Sequence, residues 1–289
     1  MTLNPPAALL GAPTRQYSAN QLKRVSRAIR QGATSDSTDP TYDDVMVWYN
    51  DLASWVQAEI RGVDWGDLLP GRDPVIVSRS KTIDTLRQKL QRYPTHHIGT
   101  VQDIAGVRFE AEMTLDEQDA VVDILLDHFG QDDDVVHDMR ADPHSGYRAV
   151  HLWLRFEGVG RAEVQVRTHL QGQWANLFER AADVIGRGIR YDEMPAEAQA
   201  RLLVERLITL SSPGVANIER TRNWIAVQDL HADDVRRGLV APGVRAIPSV
   251  VADVEEIRET LRSTEESYVV SMNELQIMFD DAQRAKEAR

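Results

Sequence analysis

Apolar residues recur with helical spacing near the start of the chain and alternate with polar residues in short runs further on. Ser18 is a suitable start for a first helix, in which Leu22, Val25 and Ile29 would share one face. A second helix should follow, because a five-residue apolar set keeps the same period: Val45, Trp48, Leu52, Trp55 and Val56. Since its two tryptophans follow that period, we interpret them as core residues rather than as platforms for a ligand.

From residue 75 onward the pattern is typical of a mixed α/β protein. Strand-like runs cover residues 75–77, 106–110, 135–139, 147–156 and 162–168. Helical patterns cover residues 82–93, 115–129, 174–185 and 195–210, and a long charged helix covers residues 250–288. We therefore predict a mixed β-sheet of about five strands flanked by helices. The predicted division is an N-terminal helical region (1–74), a core (75–191), a helical extension (192–237), a linker rich in glycine and proline (238–249) and a C-terminal helix (250–289).

The composition excludes several classes of protein and site. A formal net charge of −12 argues against a protein that coats nucleic acid non-specifically. Because the chain has no cysteine, it can form no disulfide, thiolate metal site or thiol nucleophile. The first residues do not resemble a signal peptide, and no apolar run is long enough to span a membrane. These features predict a soluble, cytoplasmic protein.

Charge is nevertheless unevenly distributed along the chain. Residues 14–31 contain five basic residues and no acid, whereas residues 115–134 contain eight acids and no lysine or arginine. A local basic face on an acidic body permits a particular contact with nucleic acid. The simpler interpretation is that both segments are solvated helix faces.

A polar stripe on the third predicted helix is the first candidate binding surface. Lys81, Thr85 and Lys89 are four residues apart, so they would lie on one side of that helix. Arg79 precedes the helix N-terminus, where the helix dipole and a guanidinium group both favour phosphate. Basic helix stripes are common, and an ordinary solvated surface is the alternative interpretation.

The segment Asp103-Ile-Ala-Gly-Val-Arg108 is the second candidate. Gly106 permits close approach of the backbone at the start of a strand. Asp103 stands at the mouth of that strand, where a carboxylate can hold Mg²⁺, and Arg108 could lie over a base or reach phosphates. A turn aspartate and a surface arginine are the alternative interpretation.

Two predicted strands carry the most informative polar residues. Strand alternation would place Tyr147 and His151 on one face of the first strand. It would likewise place Glu163, Gln165 and Arg167 on one face of the second. Tyr147 offers a flat surface for a base, and such stacking contributes roughly 1–3 kcal/mol. Three polar side chains along one face of a strand in a packed sheet are costly unless they bind something, so we interpret these strands as a nucleotide and metal site.

In this order, the segments resemble the synthetase domain of the RelA/SpoT-type alarmone synthetases. The motifs that carry the resemblance are Arg79-x-Lys81-x₃-Thr85-x₃-Lys89, Asp103-Ile-Ala-Gly-Val-Arg108, Gly146-Tyr-Arg-Ala-Val-His151, Glu163-Val-Gln-Val-Arg-Thr168 and Trp174-Ala175-x₃-Glu179. The resemblance covers residues 75–191 and implies a nucleotidyltransferase-like fold. It also implies transfer of the β,γ-pyrophosphate of ATP to a 3′-hydroxyl, with AMP as the leaving group.

The resemblance also implies a role for each candidate residue. Asp103 and Glu163 would hold Mg²⁺, and Glu163 would also help to activate the hydroxyl. The residues implied to bind ATP are Arg79, Lys81, Lys89 and Arg108. The residues implied to bind the acceptor are Tyr147, His151, Gln165 and Arg167. Phosphoryl-type transfer requires mainly positioning and charge neutralisation, which this set of groups can supply.

The sequence departs from the family pattern at several points. Thr85 stands where serine is commoner, and Arg180 follows Glu179 where long family members usually have histidine. The 78 residues before Arg79 are too few for the hydrolase half of the bifunctional enzymes. His137 and Asp138 form a solitary His-Asp pair, which we interpret as a coincidence and not as part of a hydrolase site. We expect a small, single-domain synthetase.

Two acceptors fit the resemblance: GDP or GTP, which small alarmone synthetases use, and the 3′ CCA end of tRNA, which a related toxin–antitoxin branch modifies. The segment 18–30 looks similar to the basic helix of the toxic branch, as does Gln171-x₂-Trp174-Ala175. Lys23, Arg24 and Arg27 could then hold tRNA phosphates. We prefer tRNA, which implies a neutralising antitoxin protein. GDP or GTP is the alternative, and a catalytically silent nucleotide-binding module is a third hypothesis.

Overall fold

A computed structural model describes residues 11–34, 36–80, 83–237, 239 and 248–287. The described residues fall into two compact units. Residues up to 111, together with 119–138 and 149–167, form the first unit. Residues 112–118, 139–148 and those from 168 onward form the second.

Two helices precede the sheet in the first unit, Ala19–Arg30 (α1) and Tyr42–Gly62 (α2). Each begins with a capping box, in which Ser18 or Thr41 and the third helical residue exchange hydrogen bonds with each other's backbone N–H. The predicted apolar faces of both helices are buried, including the two tryptophans of α2. The interpretation of those tryptophans as core residues is therefore confirmed.

Five strands form one sheet in the first unit. They are Val75–Ser80 (β1), Ala105–Ala111 (β2), Val136–Asp138 (β3), Val150–Phe156 (β4) and Gly160–Thr168 (β5). Their order in the sheet is β1-β2-β5-β4-β3. Strand β1 is antiparallel to β2, and β4 is antiparallel to both β3 and β5. Two further helices interleave with the strands, Ile83–Arg92 (α3) and Leu115–Phe129 (α4). The prediction of a mixed α/β fold, with a five-stranded sheet flanked by helices, is confirmed.

The second unit is mainly helical. Its long helices are His169–Ile185 (α5), Ala198–Thr209 (α6), Ala216–Arg237 (α7) and Pro248–Glu287 (α8). Apolar residues from all four helices form its core. Trp174 is buried there, and its indole N–H donates to the carbonyl oxygen of Leu207 at 2.7 Å. In the part of the chain that the structure describes, no helix combines the length and apolarity needed to cross a membrane.

Two elements begin at residues that the sequence pattern did not predict. Strand β4 begins at Val150, because a tight turn at His144–Gly146 occupies the preceding residues. Ser145 and Gly146 there have φ values of 49° and 84°, which are incompatible with an extended strand. Helix α5 begins directly after β5, since Thr168 caps it through a capping box with Gln171.

Candidate active site

Polar side chains of β4 and β5 meet on one face of the sheet. Gln165 is the cross-strand partner of His151, and Glu163 is the partner of Trp153. Successive side chains in a strand point to opposite faces, so the buried Val164 and Val166 line the other side. Alternation therefore predicted the polar and apolar faces of β5 correctly.

The polar groups of β5 form a continuous hydrogen-bonded row. Arg167 Nη2 donates to Gln165 Oε1 at 2.6 Å, and Gln165 Nε2 donates to Glu163 Oε2 at 2.7 Å. The other carboxylate oxygen, Glu163 Oε1, lies 3.0 Å from Nδ1 of His151. Four of the predicted site residues are thus brought together, and Gln165 is fixed in the orientation that donates to the carboxylate.

Glu163 is a buried carboxylate that its neighbours keep ionised. Its side chain is only 8% exposed. Burial by itself raises the pKa of the Glu163 carboxyl, and the charge of Asp103 adds to that effect. The hydrogen bonds from His151 and Gln165 and the charge of His151 outweigh both, so the pKa is lower than usual. A buried, ionised carboxylate is suited to hold a cation or to accept a proton.

Asp103 and Lys89 form the second part of the site. Lys89 Nζ lies 2.8 Å from Asp103 Oδ1, and both side chains are partly exposed. Asp103 lies in the segment immediately before β2, as the sequence predicted. Its charge acts on Glu163, which indicates that the two carboxylates are neighbours. A cation between them would relieve their mutual repulsion.

The donor set of this site fits magnesium. Within the described ranges, no three or more His, Cys, Asp or Glu side chains are grouped so that they could enclose a metal ion. Mg²⁺ does not require such a cage, because it is usually held by one or two carboxylates together with substrate phosphates and water. Asp103 and Glu163 meet that requirement, and phosphate oxygens would complete the coordination.

The other residues predicted to bind ATP are less fully described. Lys81 and the side chain of Arg79 lie outside the described residues. The backbone of Arg79 belongs to β1, where it pairs with Gly106. Arg108 is half-buried on β2, across from Val77 of β1, on the side opposite the buried Phe109. Their roles in binding ATP stay predictions.

Tyr147 does not lie on the strand that carries His151. The prediction that both share one strand face is wrong, because the turn at His144–Gly146 delays the start of β4. Tyr147 belongs to the second unit and is half-buried against its apolar core. The phenol is therefore positioned by that unit rather than by the pleat of β4.

The basic residues of α1 lie on its exposed side. Lys23, Arg24 and Arg27 are exposed, whereas the apolar face of the helix is buried. Arg24 Nη2 donates to the carbonyl oxygen of Asp39 at 3.3 Å. Burial lowers the pKa of His97, and the charges of Lys23, Arg15, Arg161 and His96 lower it further.

Two aromatic residues of the polar face were missed by the sequence analysis. The rings of His137 and Trp153 have centroids 3.5 Å apart, and His137 is the cross-strand partner of His151. His137 therefore lies beside the site, a position that the sequence did not predict. Trp153 could have been found from alternation, since it lies two residues after His151 on the same strand. His137 could not, because the β3–β4 register is not visible in the sequence.

The His151–Glu163 contact predicts a pH dependence. Replacing His151 by leucine removes a hydrogen bond and a charge that both lower the pKa of Glu163, so that pKa should rise. As the pH is lowered, activity that needs the ionised carboxylate should then be lost at a higher pH than in the unmodified protein. The acid limb of the kcat–pH profile should therefore shift to higher pH. A carboxyl group whose pKa is lower in the folded than in the unfolded protein stabilises the fold at pH values above its unfolded-state pKa. This stabilisation is lost as the pH falls through the folded-state pKa. Acid unfolding of His151→Leu should therefore also begin at higher pH.

His128→Leu is the matched control for this experiment, because it removes a histidine 3.1 Å from Glu59, in the same unit but on α4 and α2. Its acid limb should coincide with that of the unmodified protein. An acid limb that stays in place in His151→Leu would contradict the assignment of Glu163 as the titrating group.

Comparison with known proteins identifies a family segment and relatives of this chain. Residues 78–182 match the family described as the region found in RelA / SpoT proteins. The uncharacterized proteins Rv1366 of Mycobacterium tuberculosis and Mb1401 of Mycobacterium bovis are each 44% identical to this chain over 191 residues, which are 66% of this chain and 68% of theirs.

Solved structures of lower identity are also similar. The small alarmone synthetase 1 from Bacillus subtilis is 21% identical, with a TM-score of 0.49 over 66% of this chain and 98% of that one. The same enzyme bound to its product pppGpp is 22% identical, with a TM-score of 0.48 over 64% and 98% of the two chains. On the family match and the mycobacterial relatives, the chain belongs to the family of proteins that contain the region found in RelA / SpoT proteins.

Proposed function

We propose that this protein transfers the β,γ-pyrophosphate of ATP to a 3′-hydroxyl group and releases AMP. In this reaction the acceptor oxygen forms a bond to the β-phosphorus, the bond from that phosphorus to the α-phosphate oxygen breaks, and the hydroxyl proton leaves to a base. Family membership supports the reaction class. The observation that carries the proposal is the buried, ionised Glu163 held between His151 and Gln165.

The residues of the site can divide the work of such a transfer. Glu163 can orient the hydroxyl and receive its proton, since the carboxylate is ionised and both of its oxygens are already positioned. Lys89 adds a positive charge next to Asp103, where it can bind phosphate oxygens as the nucleotide enters. Arg167 and Gln165 form a rigid polar row from which further contacts to phosphate or ribose can be made.

Mg²⁺ is the proposed cofactor, and Asp103 and Glu163 would hold it. When bound, it would neutralise charge on the transferred phosphates and orient them for in-line displacement. The neighbouring carboxylates alone would repel a nucleotide, so activity should depend on the divalent cation.

We propose the 3′ CCA end of tRNA as the acceptor. The support is local: α1 exposes Lys23, Arg24 and Arg27, and no acid lies between residues 14 and 31. Cations in such a cluster bind a nucleic-acid backbone through its phosphates, although the whole chain carries a net charge of −12. GDP or GTP remains the alternative acceptor. The hypothesis that tRNA is the acceptor implies a neutralising antitoxin partner, which stays a prediction.

The acceptor is tested by the product that carries the label. With γ-³²P-ATP, Mg²⁺, GDP, GTP and bulk tRNA in one reaction, we expect label on tRNA. The triple variant Lys23→Glu, Arg24→Glu and Arg27→Glu should lose at least about 90% of that label. Reversing the charge of three side chains that contact phosphates should lower the affinity for tRNA by several orders of magnitude. Binding of ATP in the absence of tRNA should be unaffected by these changes.

A matched control variant replaces three exposed arginines of the second unit by glutamate: Arg206, Arg236 and Arg284. This variant should still place the label on tRNA. Label on (p)ppGpp while tRNA stays unlabelled would assign GDP or GTP as the acceptor. If nucleotide binds but no AMP is released with any acceptor, the protein is a silent binding module and the proposed reaction is wrong.

A further inference from the structure

The turn that precedes Tyr147 has a strained conformation. Ser145 has φ 49° and Gly146 has φ 84°, so two consecutive residues adopt left-handed backbone geometry. Glycine tolerates this geometry, but a serine does so at a cost in conformational energy. Such a residue keeps this conformation only where the surrounding contacts over-determine it. Those contacts come from residues far along the chain.

Asp192 holds the first part of the turn. Ser145 Oγ lies 2.5 Å from Asp192 Oδ1 and 3.0 Å from the carbonyl oxygen of Ile189. His144 Nδ1 lies 2.8 Å from the second carboxylate oxygen of Asp192. Asp192 is itself in the left-handed region, with φ 59°. One carboxylate therefore binds two consecutive residues of the turn.

Ser211 holds the middle of the turn. Its hydroxyl donates to the carbonyl oxygen of Gly146 at 2.5 Å, and both residues are buried. A side chain at Gly146 would have its Cβ 3.0 Å from the Trp174 ring and 3.2 Å from the Ile208 Cα. The peptide before Tyr147 is thus packed closely between α5 and the end of α6.

Glu219 holds the residue that follows Tyr147. Arg148 Nη2 donates to Glu219 Oε2 at 3.2 Å, and Thr168 Oγ1 donates to Glu219 Oε1 at 2.6 Å. The side chains of Glu219 and Arg148 are 2% and 7% exposed. Arg148 Nη1 also donates to the carbonyl oxygen of Arg140 at 2.7 Å. Glu219 therefore joins the Tyr147 segment to the N-terminal cap of α5.

A stability role alone does not account for these contacts. A buried ion pair contributes little to stability, and apolar residues of the same volume commonly do as well or better. Hydrogen-bonded polar networks can instead specify one arrangement of the backbone. Here three separate anchors converge on five consecutive residues, 144–148, with Tyr147 near their end.

We infer that Asp192, Ser211 and Glu219 are positioning residues for Tyr147, and hence for binding of the acceptor. All three lie outside residues 78–182, which match the family, so they belong to the helical extension of this chain. The inference rests on the proposed function and on the prediction from the sequence that Tyr147 stacks on the base of the acceptor. ATP contacts should be unaffected, because none of the three anchors contacts a residue predicted to bind ATP among the described contacts.

The experiment compares Glu219→Gln and Ser211→Ala with the unmodified full chain, using GDP, GTP and bulk tRNA as acceptors. Glu219→Gln keeps the size of the side chain, and Ser211→Ala removes one hydroxyl, so at least one variant should fold. We expect the acceptor KM to rise about tenfold in each, with the KM for ATP and kcat within about twofold. Glu205→Gln, an exposed carboxylate on α6, is the matched control and should leave all three constants unchanged.

Amide hydrogen exchange gives a second readout that does not need turnover. Exchange at residues 144–148 should be at least about tenfold faster in both variants than in the unmodified chain. A parallel loss of ATP and acceptor affinity, or unchanged acceptor KM in both variants, would overturn the inference. If the unmodified chain releases no AMP, the proposed function fails; faster exchange together with weaker acceptor binding would still support the anchoring, and unchanged exchange would overturn it.

Discussion

Replacing Glu163 by glutamine should lower the rate of AMP release from ATP by about 10³-fold. The change preserves the size of the side chain and removes its negative charge. Without that charge the site loses the proposed ligand for Mg²⁺ and the proposed acceptor of the hydroxyl proton. Burial makes the loss larger, since water cannot replace the missing charge at a side chain that is 8% exposed.

The measurement is AMP release under saturating ATP and Mg²⁺, with GDP, GTP and tRNA present together. Glu157→Gln provides the control, because Glu157 is exposed in the β4–β5 turn and the same chemical change there should have no effect. Circular dichroism and melting temperature must show that Glu163→Gln stays folded. Activity within about tenfold of the unmodified protein would remove Glu163 from the mechanism.

Replacing Asp103 by asparagine should lower AMP release by about 10²- to 10³-fold. Asp103 lies 2.8 Å from Lys89 and acts electrostatically on Glu163, so its loss changes both neighbours. The Mg²⁺ concentration for half-maximal activity should rise, because one of the two proposed carboxylate ligands is gone. The pKa of Glu163 should fall further, since a nearby negative charge that raises it has been removed.

Asp84→Asn is the control for this substitution. Asp84 is 72% exposed on α3 and lies 2.8 Å from Arg87, so it has a basic partner but no neighbouring carboxylate of the site. Its rate and Mg²⁺ requirement should equal those of the unmodified protein. If Asp103→Asn loses activity with an unchanged Mg²⁺ requirement, Asp103 positions Lys89 rather than the metal.

Periodicity in the sequence predicted much of the fold. Helix α4 has the predicted bounds, Leu115–Phe129, because its apolar positions recur without interruption. The face of β5 that carries Glu163 followed from alternation alone, since each buried valine is flanked by polar residues. Local patterns of this kind are sufficient to predict a helix or strand that buries only one of its faces.

The features of the site that could not be predicted from the sequence depend on residues that are distant along the chain. The left-handed turn at Ser145 is stabilised by Asp192, and a serine gives no local signal for such geometry. Glu219 lies 71 residues beyond Arg148, and its burial depends on helix packing that no sequence period specifies. His137 was likewise missed, because its position beside His151 depends on the pairing of two strands.

Glu219 accepts two hydrogen bonds, from Arg148 and from Thr168, and these bonds limit which segments of the chain can be separated. Residues 78–182 are recognisable as a family segment, yet a fragment ending there would lack Glu219. Arg148 and the Thr168 hydroxyl would then lose the acceptor that both now share. The family segment is therefore shorter than the part of the chain that supplies these contacts. Hybrids between this protein and its relatives should exchange the helical extension and the Tyr147 segment together.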